Sequence, residues 1–291
     1  MDAAPADAVL AAVRALHFAA TILLFGQFVY ATAVSPGRWP PRFFAIAATS
    51  LVVLFASALA WLGLEAISMS GLPASEALSA PTLGTVLTAT QFGRVWLARM
   101  VLCGALVVLA AALPGRAMRI PGLALSAILL GALSAMGHAA SGRGTSGVVH
   151  LASDAAHLVA AGAWLGALVP LVLVLGRGEG VVDATRRFST LGVAAMAVIL
   201  ASGIANSLFL VPTPAALVGS AYGRLLCAKI ALFAIVLAIA AVNRQRLTPR
   251  LSVSLPALRR NAIVECCLGF AIVAIVGQLG ITMPAAQAMG R

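Results

Sequence analysis

The sequence predicts an all-α polytopic membrane protein, with eight transmembrane helices arranged as two parallel four-helix repeats. Three observations predict it. First, 62% of the 291 residues are hydrophobic and only 9% are charged, a balance that leaves too little charge to cover a water-facing surface. Second, uncharged runs recur at 43–64, 120–142, 155–176, 188–223 and 266–290, and about 20 such residues cross the hydrocarbon core as a helix. Third, stretches of the first half return in the second.

The first span is expected at 8–34. Its leading stretch "MDAAPADAVLAAVRALH" is acidic before it is apolar, whereas a secretory leader starts basic and ends at a small-residue cleavage site, so a retained helix is expected. "SPGRWPP" breaks it, and the second span follows at 42–64. Glu65 and Glu76 are assigned to a solvated loop over 65–91. The third and fourth spans, 92–113 and 119–139, flank "LPGRAMRIPG". The connector "AASGRGTSG" leads to the fifth, 148–175, and "GRGEG" separates it from the sixth, 187–210. The last two are expected at 222–242 and 259–283.

Positive charge sets direction. Arg38, Arg42, Arg116, Arg119, Arg177, Arg186, Arg187, Arg244, Arg246, Arg250, Arg259 and Arg260 all fall in or beside the odd-to-even loops, which are therefore expected to be cytoplasmic. The other loops carry little positive charge, Arg143 being an exception. Both termini then face outside, and the net charge of +11 reads as a topology signal rather than as a nucleic-acid surface. Arg94, Arg99, Arg224 and Lys229 run against that trend. Arg94 and Arg224, at helix starts, suit snorkelling to headgroups, while Arg99 and Lys229 lie deeper and call for partners. Cys103, Cys227, Cys266 and Cys267 all lie inside spans, which is no extracellular disulfide pattern.

The repeat pairs "LHFAATILLFGQFV" (16–29) with "AHLVAAGAWLGALV" (156–169), aligning His17 with His157 and Gly26 with Gly166. It pairs 42–57 with 187–202, each opening on Arg-Phe and closing on Ala-Ser. It also pairs "QFGRVWLAR" (91–99) with "AYGRLLCAK" (221–229). Four helices per copy is an even number, so the copies, 1–142 and 143–291 of a single transmembrane domain, are parallel about an axis along the membrane normal.

All four histidines, His17, His138, His150 and His157, fall at the outer side of the membrane in this topology. His150, Asp154 and His157 are spaced i, i+4, i+7 and share one helix face. Imidazole suits copper, zinc, iron and nickel, and a carboxylate adds charge neutralisation. His138 ends the fourth span, where the connector can fold it back. Met136 offers a thioether one turn below. Arg14 occupies the place of Asp154 in the first copy, so the two are candidates to pair across the axis. The sequence leaves three readings open: a metal site, a structural polar network and a haem site, since ionisable groups inside a membrane are costly and retained for a reason. Cys266 and Cys267 read as packing residues beside Glu265, and Trp61, Trp96 and Trp164 as packing or interface anchors. No Gly-rich nucleotide loop supports ATP-driven pumping. Ser153, Asp154 and His157 are too close in sequence to form a hydrolytic triad, so no enzyme activity is expected.

The chain resembles the copper resistance protein D family of bacterial inner membranes. The resemblance is carried by "RALHFAATILLFGQ", "GHAASG…VHLASDAAHLVAAGAWLGALVPL", "FGRVWLARM", "YGRLLCAKIALFAIVLAIAAVNR" and "ECCLGFAIVAIVGQLGITMP", which run almost end to end. It implies copper movement across the inner membrane, generally inward, contributing to copper homeostasis or resistance. It also implies a small periplasmic copper-binding protein, here expected as a separate chain. Carried over residue by residue, it implies copper ligands at His138, His150, Asp154 and His157, with His17 from the first copy. The competing class is an electron carrier with haem b held between histidines of different helices. A copper-sensing scaffold without transport is a third.

Overall fold

The computed structural model describes residues 3–36, 41–142, 144–176, 180–211 and 213–286. Arg38, Arg143 and Arg177 lie outside them. Helix α1 (Ala3–Val29) runs on through a π-helical turn, Tyr30–Val34, and α2 spans Pro41–Ser70. Two short helices, α3 (Ala74–Ala77) and α4 (Ala80–Ala89), lead to α5 (Gln91–Ala112) and α6 (Arg119–Gly131). After 3₁₀ segments at Ala132–Met136 and His138–Ser141 come α7 (Gly144–Ala161), a π turn at Gly162–Gly166, and α8 (Ala167–Leu175). The chain continues with α9 (Val181–Leu210), α10 (Pro214–Gly219), α11 (Ala221–Val242) and α12 (Leu251–Leu279). Eight helical stretches among the described residues are long and apolar enough to cross a membrane, and α7 with α8 makes one of them. No strand occurs among the described residues.

Several ends differ from the expected ones for local reasons. The second span continues to Ser70, so Glu65 is not in a loop. It stays helical because it accepts a hydrogen bond from Trp61 Nε1, one turn back, at 3.1 Å. The loop beyond it is largely helical too. Pro81 sits in the first turn of α4 and Pro214 opens α10, where proline's missing N–H costs nothing. Thr90 and Ser220 cap α5 and α11 by accepting from the amides of Gly93 and Gly223, both at 2.9 Å. The fifth span is broken by its π turn. Pro170 cannot donate to the Gly166 carbonyl four residues back, and the turn ends at that glycine.

Two spans form the centre. More than half of α1 and of the α7–α8 span is buried, against a third or less of every other. They cross at Gly26 and Gly166, where a Cβ on either glycine would overlap the other's backbone. Packing without side chains lets two membrane helices approach closely. Around this crossing, α1 also packs against α2, α6 and α12, while α7 packs on α6 and α9. The glycine pair that aligns the two halves in sequence is thus the pair that meets at the centre.

Candidate functional site

His17 projects from α1 into a buried polar cluster. Ser57 on α2 donates its hydroxyl to the Leu54 carbonyl (3.1 Å), so its oxygen accepts from His17 Nδ1 at 3.0 Å. That places the imidazole proton on Nδ1. The lone pair of Nε2 then accepts from the Arg99 guanidinium on α5 at 2.7 Å. Arg99 also donates to the Leu129 carbonyl on α6. His17, Ser57 and Arg99 are all almost fully enclosed, and the Trp61 ring stands edge-on to His17 at 5.3 Å. One histidine therefore ties four helices together.

His157 on α7 makes the corresponding set. Ser202 on α9 donates to the Val198 carbonyl (2.5 Å) and accepts from His157 Nδ1 at 3.0 Å. Lys229 Nζ on α11 stands 3.5 Å from Nε2. Each partner is the one that the repeat alignment matches: Ser57 with Ser202, and Arg99 with Lys229. Arg94 and Arg224, five residues earlier, are exposed. The difference between the sets is chemical. Arg99 holds its histidine with a short, rigid fork and a second anchor on Leu129, whereas Lys229 is a flexible point charge at the edge of hydrogen-bonding range.

The second set opens onto a cavity of about 170 Å³ lined by His138, His150, Asp154 and His157, together with Arg14, Asn206, Tyr222 and Lys229. The i, i+4, i+7 face of α7 thus points into one space. The 3₁₀ segment after α6 packs on α7 and brings His138 to the same wall. There His138 Nε2 donates to the Leu279 carbonyl at 3.1 Å, and Tyr222 stands edge-on to the ring at 5.9 Å. Burial holds the His138 imidazole below its ordinary value, aided by the nearby Arg14 charge and opposed by backbone hydrogen bonds to Leu279 and Thr282. The His150 ring stacks on Phe209 at 4.6 Å. Asp154 accepts from Asn206 Nδ2 at 3.1 Å, while Asn206 Oδ1 is buried with no hydrogen-bond donor against it.

His17 does not line this cavity; four of the five expected ligands share it and the fifth belongs to the Arg99 cluster. Among the described residues, no three His, Cys, Asp or Glu side chains stand close enough together to hold a metal ion. Arg14 lies over the Trp61 ring at 4.7 Å rather than pairing with Asp154, and its charge is opposed by Glu65. Asp154 is opposed by Lys229. The charged lining is thus Arg14, Asp154 and Lys229 beside three histidines, with the Glu65 that opposes Arg14 lying outside it. Met136 packs against the hydrophobic core, as does Cys266.

Sequence reasoning missed Ser57, Ser202, Asn206 and Tyr222. The serines were legible as the matched Ala-Ser ends of the second repeat segment. Asn206 was legible as a lone amide one turn beyond Ser202 in an apolar span.

The family model for copper resistance protein D matches residues 182–279, and that for the copper resistance protein D-like N-terminal domain matches 5–148. Inner membrane protein YebZ of Escherichia coli (strain K12) is 30% identical over 249 residues, covering 82% of this chain and 84% of YebZ. Copper resistance protein D of Pseudomonas syringae pv. tomato is 35% identical over 216 residues, or 70% and 69% of the two chains. Copper transport protein CutJ of Bacillus subtilis (strain 168) is 35% identical over 101 residues, which is 33% of this chain and 19% of CutJ. No solved structure matches.

Proposed function

The chain belongs to the copper resistance protein D family, and on that premise we propose that it moves copper across the bacterial inner membrane, taking the ion at the histidine cavity and passing it inward. The observation that carries this reading is the convergence of His138, His150, Asp154 and His157 on one cavity beside the unpartnered Asn206 oxygen. A bound cation supplies what that orphaned acceptor lacks. The names of two relatives, copper resistance protein D and copper transport protein CutJ, support the choice of copper, and that of YebZ supports the inner membrane.

Loading needs two movements. Lys229 withdraws from His157 Nε2, which exposes that lone pair, and the imidazoles turn toward Asp154 and Asn206. The flexible lysine stem and the 3.5 Å separation make the first movement easy compared with displacing Arg99 from His17. His17 joins the path only when Arg99 releases Nε2. A route built on such partial, exchangeable ligation favours passage over storage. With the arginine-rich loops inside, the cavity faces the periplasm and both termini lie there. A separate periplasmic copper-binding protein would deliver the ion.

In this reading the halves 1–142 and 143–291 are diverged copies of one unit, one locked by arginine and one left adjustable by lysine. The haem alternative has no comparable support. Nε2 of His17 and Nε2 of His157 each face a base rather than a shared central space. The deciding experiment is copper accumulation in cells carrying His157→Ala, with folding checked by detergent gel filtration. Accumulation should fall to the background of cells lacking the protein. Unchanged accumulation by a folded variant overturns the site.

A further inference from the structure

At the end of the bundle opposite the histidine cavity lies a second polar group, which the copper reading leaves unused. Glu265 on α12 is buried and accepts from Asn243 Nδ2 at 2.5 Å. Asn261, one turn earlier on α12, donates to Asn243 Oδ1 at 2.8 Å. Asn243 opens a π-helical turn, Asn243–Leu247, at the end of α11, and such turns concentrate at functional sites. Glu265 and Asn243 line a cavity of about 400 Å³ together with Thr185 of α9 and Arg244. The Thr185 hydroxyl is buried with no partner. So are the hydroxyls of Tyr30 and Thr32, on the π turn that packs against α9. Of these, Thr185 stands in the cavity wall, and an orphaned hydroxyl there marks a place for water.

We infer that Glu265 is a proton-exchange group, taking up and releasing a proton to the inner aqueous phase through this cavity during transport. The inference rests on the copper-transport reading for its cycle but uses none of its ligands. A carboxyl group inside a membrane segment is costly and retained where it carries ions or protons. Its depth fits exchange: Glu265 lies five residues beyond Arg260, about 7.5 Å along the helix at 1.5 Å per residue. Arg244 of the same cavity donates to Ser189 at the surface. The donor set is hard oxygen apart from the Met196 thioether in the cavity wall, which suits a proton better than cuprous ion. Few charges face the carboxyl. The π turn after α11 brings Arg244 to the same cavity wall, while Cys266, next along α12, packs against the hydrophobic core instead. Helices α8 and α9 bring Leu171, Leu175, Thr185 and Ser189, none of them charged.

The test is copper uptake into proteoliposomes of the full chain with interior pH varied, comparing wild type, Glu265→Gln and Glu265→Asp. Wild-type uptake should change with interior pH, the glutamine variant should lose that dependence while still retaining copper after desalting, and aspartate should restore it. Glutamine-variant uptake with the wild-type pH dependence overturns the inference and leaves the copper site standing. No uptake by wild type at any pH instead overturns the transport reading. A readout free of transport is the infrared pH-difference spectrum. A carboxylic-acid carbonyl band should persist in Asp154→Asn, disappear in Glu265→Gln and shift in Glu265→Asp. A band unaffected by either Glu265 variant overturns the assignment. Equal loss of uptake in Glu265→Gln and Met196→Leu at every pH, with no such band, makes the group a copper ligand instead and overturns it as well.

Discussion

Two histidines at matching positions have different freedoms. His17 has both ring nitrogens engaged, Nδ1 to Ser57 and Nε2 to Arg99, so replacing Arg99 with leucine strands a buried imidazole nitrogen and the Leu129 carbonyl. Loss of one partner of a buried hydrogen bond costs about 1–3 kcal/mol. Arg99→Leu should therefore lower thermal stability in detergent by that order while leaving copper retention intact, and a stable variant that loses copper would contradict the division of labour. At His157 the expectation is the opposite. Lys229→Met removes the competitor for Nε2 and the counter-charge of Asp154, so the variant should hold copper more tightly than wild type after desalting, with slower release. Weaker retention would make Lys229 a supporting group rather than a gate. Acid should strip the metal by protonating its ligands. Because burial holds His138 below its ordinary value, that ligand competes for protons only below the ordinary histidine value of about 6.5. Copper content measured against pH should stay flat through neutrality and fall below that value. A fall beginning above pH 7 would remove His138 from the ligand set.

Among the helices, the contact that organises the rest is the crossing of α1 with the π turn before α8. Gly26→Val puts two methyl groups where the Gly166 backbone already lies. Overpacking of this kind costs roughly 1–3 kcal/mol or more, and here no flexible side chain is available to yield. Unfolding in detergent should shift strongly downward for Gly26→Val and Gly166→Val. It should hardly move for Gly104→Val on α5, where a Cβ meets open space. This crossing was legible in the sequence, because the two glycines align when the histidines do. The spans were legible for the same reason that they insert: a run of about 20 apolar residues has few other fates. Less legible were the π turns, the short helices α3, α4 and α10, and the extension of α2 through Glu65. The extension of α2 is supported by an i, i+4 bond from Trp61 to Glu65, which a hydropathy reading ends too early to see. The face of α7 carrying His150, Asp154 and His157 was readable from spacing. The serines that orient His17 and His157 showed only as matched Ala-Ser ends of the repeat, and their role was hidden because a serine in an apolar helix usually bonds only to its own backbone.

For the whole molecule, the polar groups divide between two ends. The histidine cavity lies among α1, α7, α9, α11 and α12, and the Glu265 cavity lies at the arginine-bearing end of the same bundle. Between them lies a mainly apolar cavity of about 350 Å³ that shares His157 and Lys229 with the first and Trp164 with the second, so an ion crossing there meets apolar side chains rather than ligands. The topology proposed from the arginines makes a direct prediction: a reporter active only in the periplasm, fused after Arg291, should be active, and a cytoplasmic-only signal would invert the scheme. The claim on which the account depends is that copper binds the α7 cavity. It is tested most directly by measuring copper and iron in purified, anaerobically copper-loaded and desalted protein, in wild type and in the His150→Ala and His157→Ala variants. Near-stoichiometric copper in wild type, lost in both variants and with negligible iron throughout, is the predicted result. Copper retained equally by all three, or iron in place of copper, would contradict it.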